Sequence, residues 1–233
     1  MTTVSLYSRL ADLLHPRGCA VCGSRLAPGE TLICTPCMAA LPRTEHAYDP
    51  TDNEMARLFW ARINIERAAA LFFYSPGSAT GRLIYKLKYD SRPQIGRALG
   101  RLAAEEFSVN GFFDDIDMIV PIPLDKKRER MRGYNQSAEI ALGISEATGI
   151  GVRTDIVRRV RQTESQTLKA HSERADNVEG AFRTDKPEVI RERHILVVDD
   201  IVTTGSTVCS CGKELMKAGD VKISVISLGF TSK

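Results

Sequence analysis

The segment His194-Ile-Leu-Val-Val-Asp-Asp-Ile-Val-Thr-Thr-Gly-Ser-Thr207 decides the fold class of this chain. Four consecutive apolar residues at 195–198 predict a buried strand, and two acids follow them directly. A hydroxyl-rich turn with one glycine comes next, and residues 207–217 have the pattern of a helix opened by Ser and Thr. This succession of strand, polar turn and helix start predicts an α/β protein.

The acids and the turn suit a phosphorylated sugar. Asp199 and Asp200 are placed to accept hydrogen bonds from vicinal sugar hydroxyls and to face Mg²⁺. The backbone N–H groups of residues 203–207 and the helix N-terminus favour a phosphate monoester, and Gly205 allows close approach of the backbone. The hydroxyls that would assist belong to Thr203, Thr204, Ser206 and Thr207.

Two related motifs do not fit the segment, and a third interpretation stays open. A Walker A loop needs a lysine after its last glycine, and none stands here. A response-regulator receiver needs more than the 33 residues that follow Asp200. A purely structural acidic turn stays open, although adjacent carboxylates repel and usually need a cation or a donor-rich ligand.

Strand and helix patterns alternate through the rest of the chain. This alternation predicts a mostly parallel, doubly wound sheet, in which ligands bind beyond the carboxyl ends of the strands. The predicted strands are 68–74, 118–122, 156–160, 195–198 and 221–228, and the predicted helices are 79–89, 94–107, 136–148 and 207–217.

Four cysteines form two C-x-x-C pairs separated by eleven residues, near the spacing of zinc ribbons. They are Cys19, Cys22, Cys34 and Cys37. Four sulfurs complete a closed tetrahedron, so we expect a structural zinc that stabilises a segment too small for its own core. Two disulfides or a redox pair remain the alternative. Cys209 and Cys211 are expected to be small packing residues of a helix.

Composition predicts a globular protein with one full-sized core and a small appendage. The chain has 233 residues, 43% hydrophobic and 26% charged. No apolar run approaches the length of a membrane span and residues 1–14 lack a secretory pattern, so we expect a cytoplasmic location. The predicted division is a helix and zinc unit at 1–45, a linker and helix at 46–66, and the main domain at 67–233.

Basic residues concentrate in one stretch. Residues 126–174 hold 11 Lys or Arg against 6 Asp or Glu, although the whole chain has a net charge of +3. Such an excess favours a polyanionic ligand, either a diphosphate or a nucleic acid. A solvated basic face is the open alternative.

Residues 197–207 closely resemble the diphosphate-sugar signature of type I phosphoribosyltransferases. With its flanking segments, the chain is similar to the ComF family of competence-associated proteins. The resemblance covers most of the chain. Its other motifs are the two C-x-x-C pairs, 83–89 with Lys86 and Lys88, 120–124, 132–136, 166–174 and 177–182.

The resemblance implies a magnesium-dependent domain of the type I phosphoribosyltransferase fold, joined to an N-terminal zinc unit, in a family linked to natural transformation. It also implies phosphoribosyl diphosphate as ligand, with pyrophosphate near residues 121–124. Glutamine-dependent amine transfer, as in the related amidophosphoribosyltransferases, is not expected, because Thr2 and Thr3 follow Met1 where those enzymes have a catalytic cysteine.

Several basic and polar residues are candidates for the pyrophosphate end of the ligand. Arg132, in a turn before the 136–148 helix, could direct its guanidinium at diphosphate oxygens. Of Lys86 and Lys88, which cannot both face the site, Lys88 is the candidate. Arg158, Gln166 and Arg174 are assigned to a loop that would close over the ligand.

Two functional hypotheses result. In the first, Asp199 and Asp200 are the catalytic residues of a phosphoribosyltransferase whose acceptor is unknown. In the second, the pocket only senses the ligand, and the basic stretch and the zinc unit bind single-stranded DNA or a DNA-uptake protein.

Overall fold

The computed structural model describes residues 17–160 and 180–232. The described strands are β1 Arg67–Phe73, β2 Met118–Pro121, β3 Val157–Arg159, β4 Phe182–Thr184, β5 His194–Val202 and β6 Lys222–Phe230. The described helices are α1 Thr35–Ala40, α2 Glu54–Arg57, α3 Ala79–Tyr89, α4 Pro93–Ser108, α5 Lys126–Arg132, α6 Gln136–Thr148, α7 Pro187–Ile190 and α8 Ser206–Met216.

The main sheet is parallel, as the alternating patterns predict. Its four strands have the order β1-β6-β5-β2, and all three pairings are parallel. The central pair, β5 and β6, is apolar on both faces, as expected of a sheet that helices cover on both sides. The carboxyl ends of the four strands therefore meet at one edge.

Helices lie on both faces of this sheet. Helices α3, α4 and α6 share one buried cluster with side chains such as Leu196 and Val198. Helices α2 and α8 share the other with Ile195 and Val197. Gly143 lets α6 approach α4, since a Cβ there would stand 2.0 Å from the carbonyl oxygen of Arg97. The N-terminal end of α6 lies at the carboxyl edge of the sheet, where Ser137 Oγ donates to Asp199 Oδ1.

Several elements differ from the sequence predictions, and three of the differences bear on the site or on basic residues. Strand β5 continues to Val202, because its ladder with β6 runs on through Ile201, so the two acids lie within the strand instead of after it. Strand β3 pairs antiparallel with β4 outside the main sheet, and its exposed Arg158 explains why it is not an interior strand. Helix α5 was not predicted, since its sequence KKRERMR has no apolar stripe.

The N-terminal cysteine unit packs directly on the main domain. Val21 and Leu41 join the same buried cluster as Leu71 of β1. Arg43 forms a salt bridge of 2.7 Å with Glu106 of α4. The described part of the unit therefore shares its core with the sheet.

Two further observations complete the fold. The predicted amphipathic helix within residues 1–14 lies outside the described residues. Across the residues that are described, the helices are all too short or too polar to cross a membrane.

Candidate functional site

The two acids of β5 stand at the carboxyl edge of the sheet with different partners. Asp199 Oδ1 accepts hydrogen bonds from the backbone N–H of Asp200 (2.8 Å) and from Ser137 Oγ (3.3 Å) at the start of α6. Asp200 Oδ2 lies 3.0 Å from Lys88 Nζ, near the end of α3. Burial, and secondly the charge of Asp200, raises the pKa of Asp199 to about 7. Because ionising the Asp199 carboxyl is costly, its carboxylate form would be stabilised by a bound cation or by further hydroxyl donors.

The segment after β5 forms a small concave loop. Gly205 adopts a left-handed conformation (φ 70°) and is the N-cap of α8, which begins at Ser206, one residue before the predicted start. Thr204 Oγ1 and Ser206 Oγ lie 2.9 Å apart. The depression, lined by residues 199 and 201–208, has a volume of about 30 Å³. A helix N-terminus with convergent hydroxyls at this size suits a phosphate group.

Arg62, which sequence reasoning missed, contacts the loop between β5 and α8 from its outer side. Its Nη1 donates to the carbonyl of Thr204, and its Nη2 donates to Ser206 Oγ at 3.3 Å. A Cβ on Gly205 would lie 2.9 Å from Phe59 Cε1, so a glycine is needed here for packing as well as for its φ. The segment that follows α2 is thus part of the site, although 142 residues separate Arg62 from Thr204.

The two predicted cations, Lys88 and Arg132, both contact residues of the sheet edge or of α3. Lys88 pairs with Asp200, and the guanidinium of Arg132 stands 5.4 Å from the ring centre of Tyr89. Arg132 ends helix α5 instead of lying in a turn, and its Nη1 donates to Gln136 Oε1 at 2.6 Å. Its Nε is buried and has no hydrogen-bond partner among the described residues. Of the two predicted cations, Lys88 contacts one of the acids directly, whereas Arg132 contacts Tyr89 of α3 and Gln136 of α6.

Other residues that the sequence singled out lie apart or cannot be placed. Arg158 lies in β3 instead of a loop and forms a 2.8 Å salt bridge with Asp185, and its role in closing over a ligand stays a prediction. Gln166 and Arg174 lie outside the described residues. Trp60 is exposed, whereas Phe59 is buried beneath Gly205.

The four N-terminal cysteines meet at one point. Their four sulfur atoms all lie within 4.8 Å of one another, and Cys22 Sγ is 3.8 Å from Cys34 Sγ. The backbone N–H groups of Val21 and Cys34 donate to Cys19 Sγ at 3.4 and 3.3 Å. Such bonds stabilise a thiolate. Gly23, which follows the first pair, has a positive φ of 79°.

The cluster fits a zinc ion. Zinc with four sulfurs at about 2.3 Å places those sulfurs about 3.8 Å apart, which matches the Cys22–Cys34 distance. Hydrogen bonds from Ser24 lower the pKa of Cys22 to about 6, whereas its hydrogen bond with Cys34 raises the pKa of Cys37 to about 12, as expected of thiols that crowd one another without a cation. Cys209 and Cys211 are buried residues of α8 that pack in the hydrophobic core beneath this helix, as predicted.

Comparisons with known proteins agree with this geometry. The family model described as "Phosphoribosyl transferase domain" matches residues 87–230. The chain is 31% identical to the DNA utilization protein YhgH of Escherichia coli strain K12 over 210 residues, which cover 89% of this chain and 87% of that protein. It is 32% identical to Competence protein F of Haemophilus influenzae over 151 residues, 63% of this chain and 66% of that protein.

Two solved structures are also similar at low identity. One is the glutamine phosphoribosylpyrophosphate amidotransferase from B. subtilis, with 21% identity, a TM-score of 0.39, and coverage of 60% of this chain and 30% of that chain. The other is an adenine phosphoribosyltransferase, with 16% identity, a TM-score of 0.32, and coverage of 54% and 66%.

The family model spans most of the chain, and the match to the YhgH protein covers 89% of it. This chain therefore belongs to the phosphoribosyl transferase domain family and, within it, to the ComF family that its motifs indicate.

Proposed function

We propose that the site binds phosphoribosyl diphosphate together with Mg²⁺ and that the chain transfers the phosphoribosyl group to an acceptor. One observation carries this proposal. Asp199 and Asp200 stand at the carboxyl edge of the sheet, and the donor-rich loop of residues 203–207 follows them directly. A sugar whose 5-phosphate sits in that loop has its hydroxyls beside the two carboxylates.

The loop of residues 203–207, which we name the phosphate loop, would hold the phosphate together with Arg62. Helix α8 begins at Ser206 in the wall of the depression, and the hydroxyls of Thr204 and Ser206, which also line it, lie 2.9 Å apart. Arg62 fixes both residues from behind. The loop is thus preorganised, so little conformational entropy is lost when phosphate binds.

Asp199 and Asp200 would hold the ribose and stabilise charge in the transition state. As the bond from the anomeric carbon to pyrophosphate breaks, the electron pair leaves with pyrophosphate and positive charge develops on the sugar. Two carboxylates beside that charge lower the barrier. Lys88, which contacts Asp200, and Arg132, which stands over the ring of the neighbouring Tyr89, would supply cations for the negative charge of the leaving group.

The same carboxylates are suitable ligands for Mg²⁺, which prefers oxygen donors. When bound, Mg²⁺ would neutralise part of the charge on the pyrophosphate oxygens.

We also propose that Cys19, Cys22, Cys34 and Cys37 hold a structural zinc ion. All four coordination positions are sulfur, so this site has no place for a substrate. The zinc would keep the N-terminal unit packed on β1 and α4.

Calorimetry tests the main proposal. The zinc-loaded protein is titrated with phosphoribosyl diphosphate in Mg²⁺, beside the Asp199→Asn, Asp200→Asn double variant and Glu105→Gln, an exposed acid on α4 that serves as the control. We expect binding by the wild type and the control, and a loss of at least about 100-fold in the double variant. Unchanged binding by the double variant would remove the acids from the site.

Helix α5 supports a second candidate function, the binding of single-stranded DNA. Lys126, Lys127, Arg128 and Arg130 are exposed on its seven residues, against one acid, Glu129. A basic surface of this kind binds phosphates without reading the base sequence. Two relatives named for DNA utilisation and competence are consistent with it. Such a protein would either handle transforming DNA or contact DNA-uptake proteins while the pocket senses phosphoribosyl diphosphate.

Salt dependence tests this second candidate. We expect the affinity for an oligothymidylate to fall steeply as salt rises, and to fall further in the Lys126→Gln, Lys127→Gln variant. The matched control is Lys213→Gln, Lys222→Gln, two exposed lysines on other elements. Salt-independent binding, or equal losses in both double variants, would refute a DNA site on α5.

A further inference from the structure

A large cavity lies beside helix α3, next to the proposed phosphoribosyl site. Its volume is about 740 Å³, within the range of small-molecule sites. One wall is α3, and the others include Tyr74 after β1 and Ile201 of β5. No residue of the phosphate loop lines it, so the phosphate site alone does not account for it.

Two residues connect this cavity to the phosphoribosyl site. Ile201 lines both the cavity and the phosphate depression. Lys88 lines the cavity and reaches Asp200 at 3.0 Å. A sugar held by the acids would therefore stand between the phosphate loop and the cavity.

The cavity offers aromatic surface for a planar ligand. The rings of Tyr85 and Tyr89 have centroids 4.8 Å apart, and these side chains are 60% and 53% exposed. Ile84 and Ile201 add apolar surface. Exposed tyrosines above an apolar floor are typical of sites that stack aromatic rings.

The charge of the lining favours an anion. Its cations are Arg82, Lys86 and Lys88, and its acid is Asp90. Within residues 17–160 and 180–232, Arg82 and Lys86 form no ion pair, whereas Lys88 is paired with Asp200. Two cations are thus available to a ligand, in addition to the guanidinium of Arg132 near Tyr89.

We propose that this cavity is the acceptor site and that it takes a planar nitrogen heterocycle carrying an anionic group. The proposal rests on the proposed function, because an acceptor needs a phosphoribosyl donor. A ring nitrogen would form a bond to the anomeric carbon while the bond to pyrophosphate breaks. Pyrophosphate keeps the electron pair of the broken bond. A ring N–H, as in orotate, releases its proton to solvent, whereas a pyridine nitrogen, as in nicotinate, carries no proton and becomes positively charged.

Binding of two matched pairs of probes tests this proposal. Orotate is compared with uracil and nicotinate with nicotinamide, by calorimetry on protein with and without phosphoribosyl diphosphate and Mg²⁺. The variants are Tyr85→Ala and Lys86→Gln. Their matched controls are Tyr48→Ala, an exposed tyrosine outside the cavity, and Lys222→Gln, at the opposite edge of the sheet.

We expect at least one carboxylated probe to bind about fivefold or more tightly than its uncharged partner. Tyr85→Ala should weaken that binding about tenfold, as loss of a stacking platform does. Lys86→Gln should reduce the preference for the anion, and neither control should change it.

Three results would overturn the acceptor site: no binding of any probe, no preference for the carboxylated probes, or equal binding by Tyr85→Ala. The donor titration separates this failure from failure of the proposed function. If phosphoribosyl diphosphate binds and the probes do not, only the acceptor site is refuted. If phosphoribosyl diphosphate itself does not bind, the proposed function falls, and the acceptor role with it.

Discussion

Replacing Asp199 with Asn should stabilise the ligand-free protein at alkaline pH. Burial raises the pKa of Asp199 from its ordinary value of 3.8 to about 7. A raised pKa means that the folded state holds its proton more tightly than the unfolded state. The associated stability is fully present below pH 3.8 and is lost as the pH rises through about 7. Asn is neutral throughout this range and avoids the loss.

The size of the effect follows from the pKa change. A rise from 3.8 to about 7 corresponds to at most about 4 kcal/mol. The side chain is only partly buried, so solvent screens part of this, and we expect about 2 kcal/mol at pH 8. At pH 5 the folded wild type still holds the proton, so we expect Asp199→Asn to stabilise the protein by less than about 1 kcal/mol. The Asn side-chain oxygen can still accept from Asp200 N–H, which limits structural disturbance.

Chemical denaturation at pH 5 and pH 8 measures both values without Mg²⁺ or phosphates. Glu105→Gln, an exposed acid on α4, is the control and should change stability by less than about 0.5 kcal/mol. An Asp199→Asn protein that is no more stable than the wild type at pH 8, or that gains equally at both pH values, would refute the reasoning.

Three further predictions concern the zinc cluster, the phosphate loop and the ion pair. Cys34→Ser should lose the bound zinc, measured by elemental analysis, and should destabilise the protein by more than about 3 kcal/mol. The control Cys209→Ala should keep its zinc. Full zinc content in Cys34→Ser would contradict this. Arg62→Ala should weaken binding of phosphoribosyl diphosphate about tenfold in calorimetry, because it frees the loop that Arg62 holds; an unchanged affinity would make Arg62 a packing residue only. Lys88→Gln should destabilise the ligand-free protein by about 1–2 kcal/mol in urea, since Asp200 loses its partner; no change would mean that the pair contributes nothing.

Local sequence patterns predicted the parallel sheet, the acidic segment with its hydroxyl-rich turn, and the cysteine cluster. Helices α3 and α6 begin and end where their sequences indicate, because each has both an apolar stripe and a capping residue, Ser78 and Asn135. The cysteine spacing likewise predicted a cluster that the structure brings together. Short-range signals suffice for such features.

The missed features depend on long-range contacts or on polar sequence. Arg62 reaches Thr204 only because α2 packs against the same face of the sheet as α8. Helix α5 has no apolar stripe, and its one sequence signal is the N-cap Asp125, whose side chain accepts from Lys127 and Arg128 N–H. The extent of β5 was missed because its partner β6 also runs on. The ligand roles of Lys88 and Arg132 stay predictions.

A crystal structure of the protein with phosphoribosyl diphosphate and Mg²⁺ tests the central claim most directly. The account predicts that the 5-phosphate accepts hydrogen bonds from the backbone N–H groups of residues 203–207 and that the ribose hydroxyls contact Asp199 and Asp200. A ligand bound elsewhere, or turned so that pyrophosphate fills the loop, would contradict it.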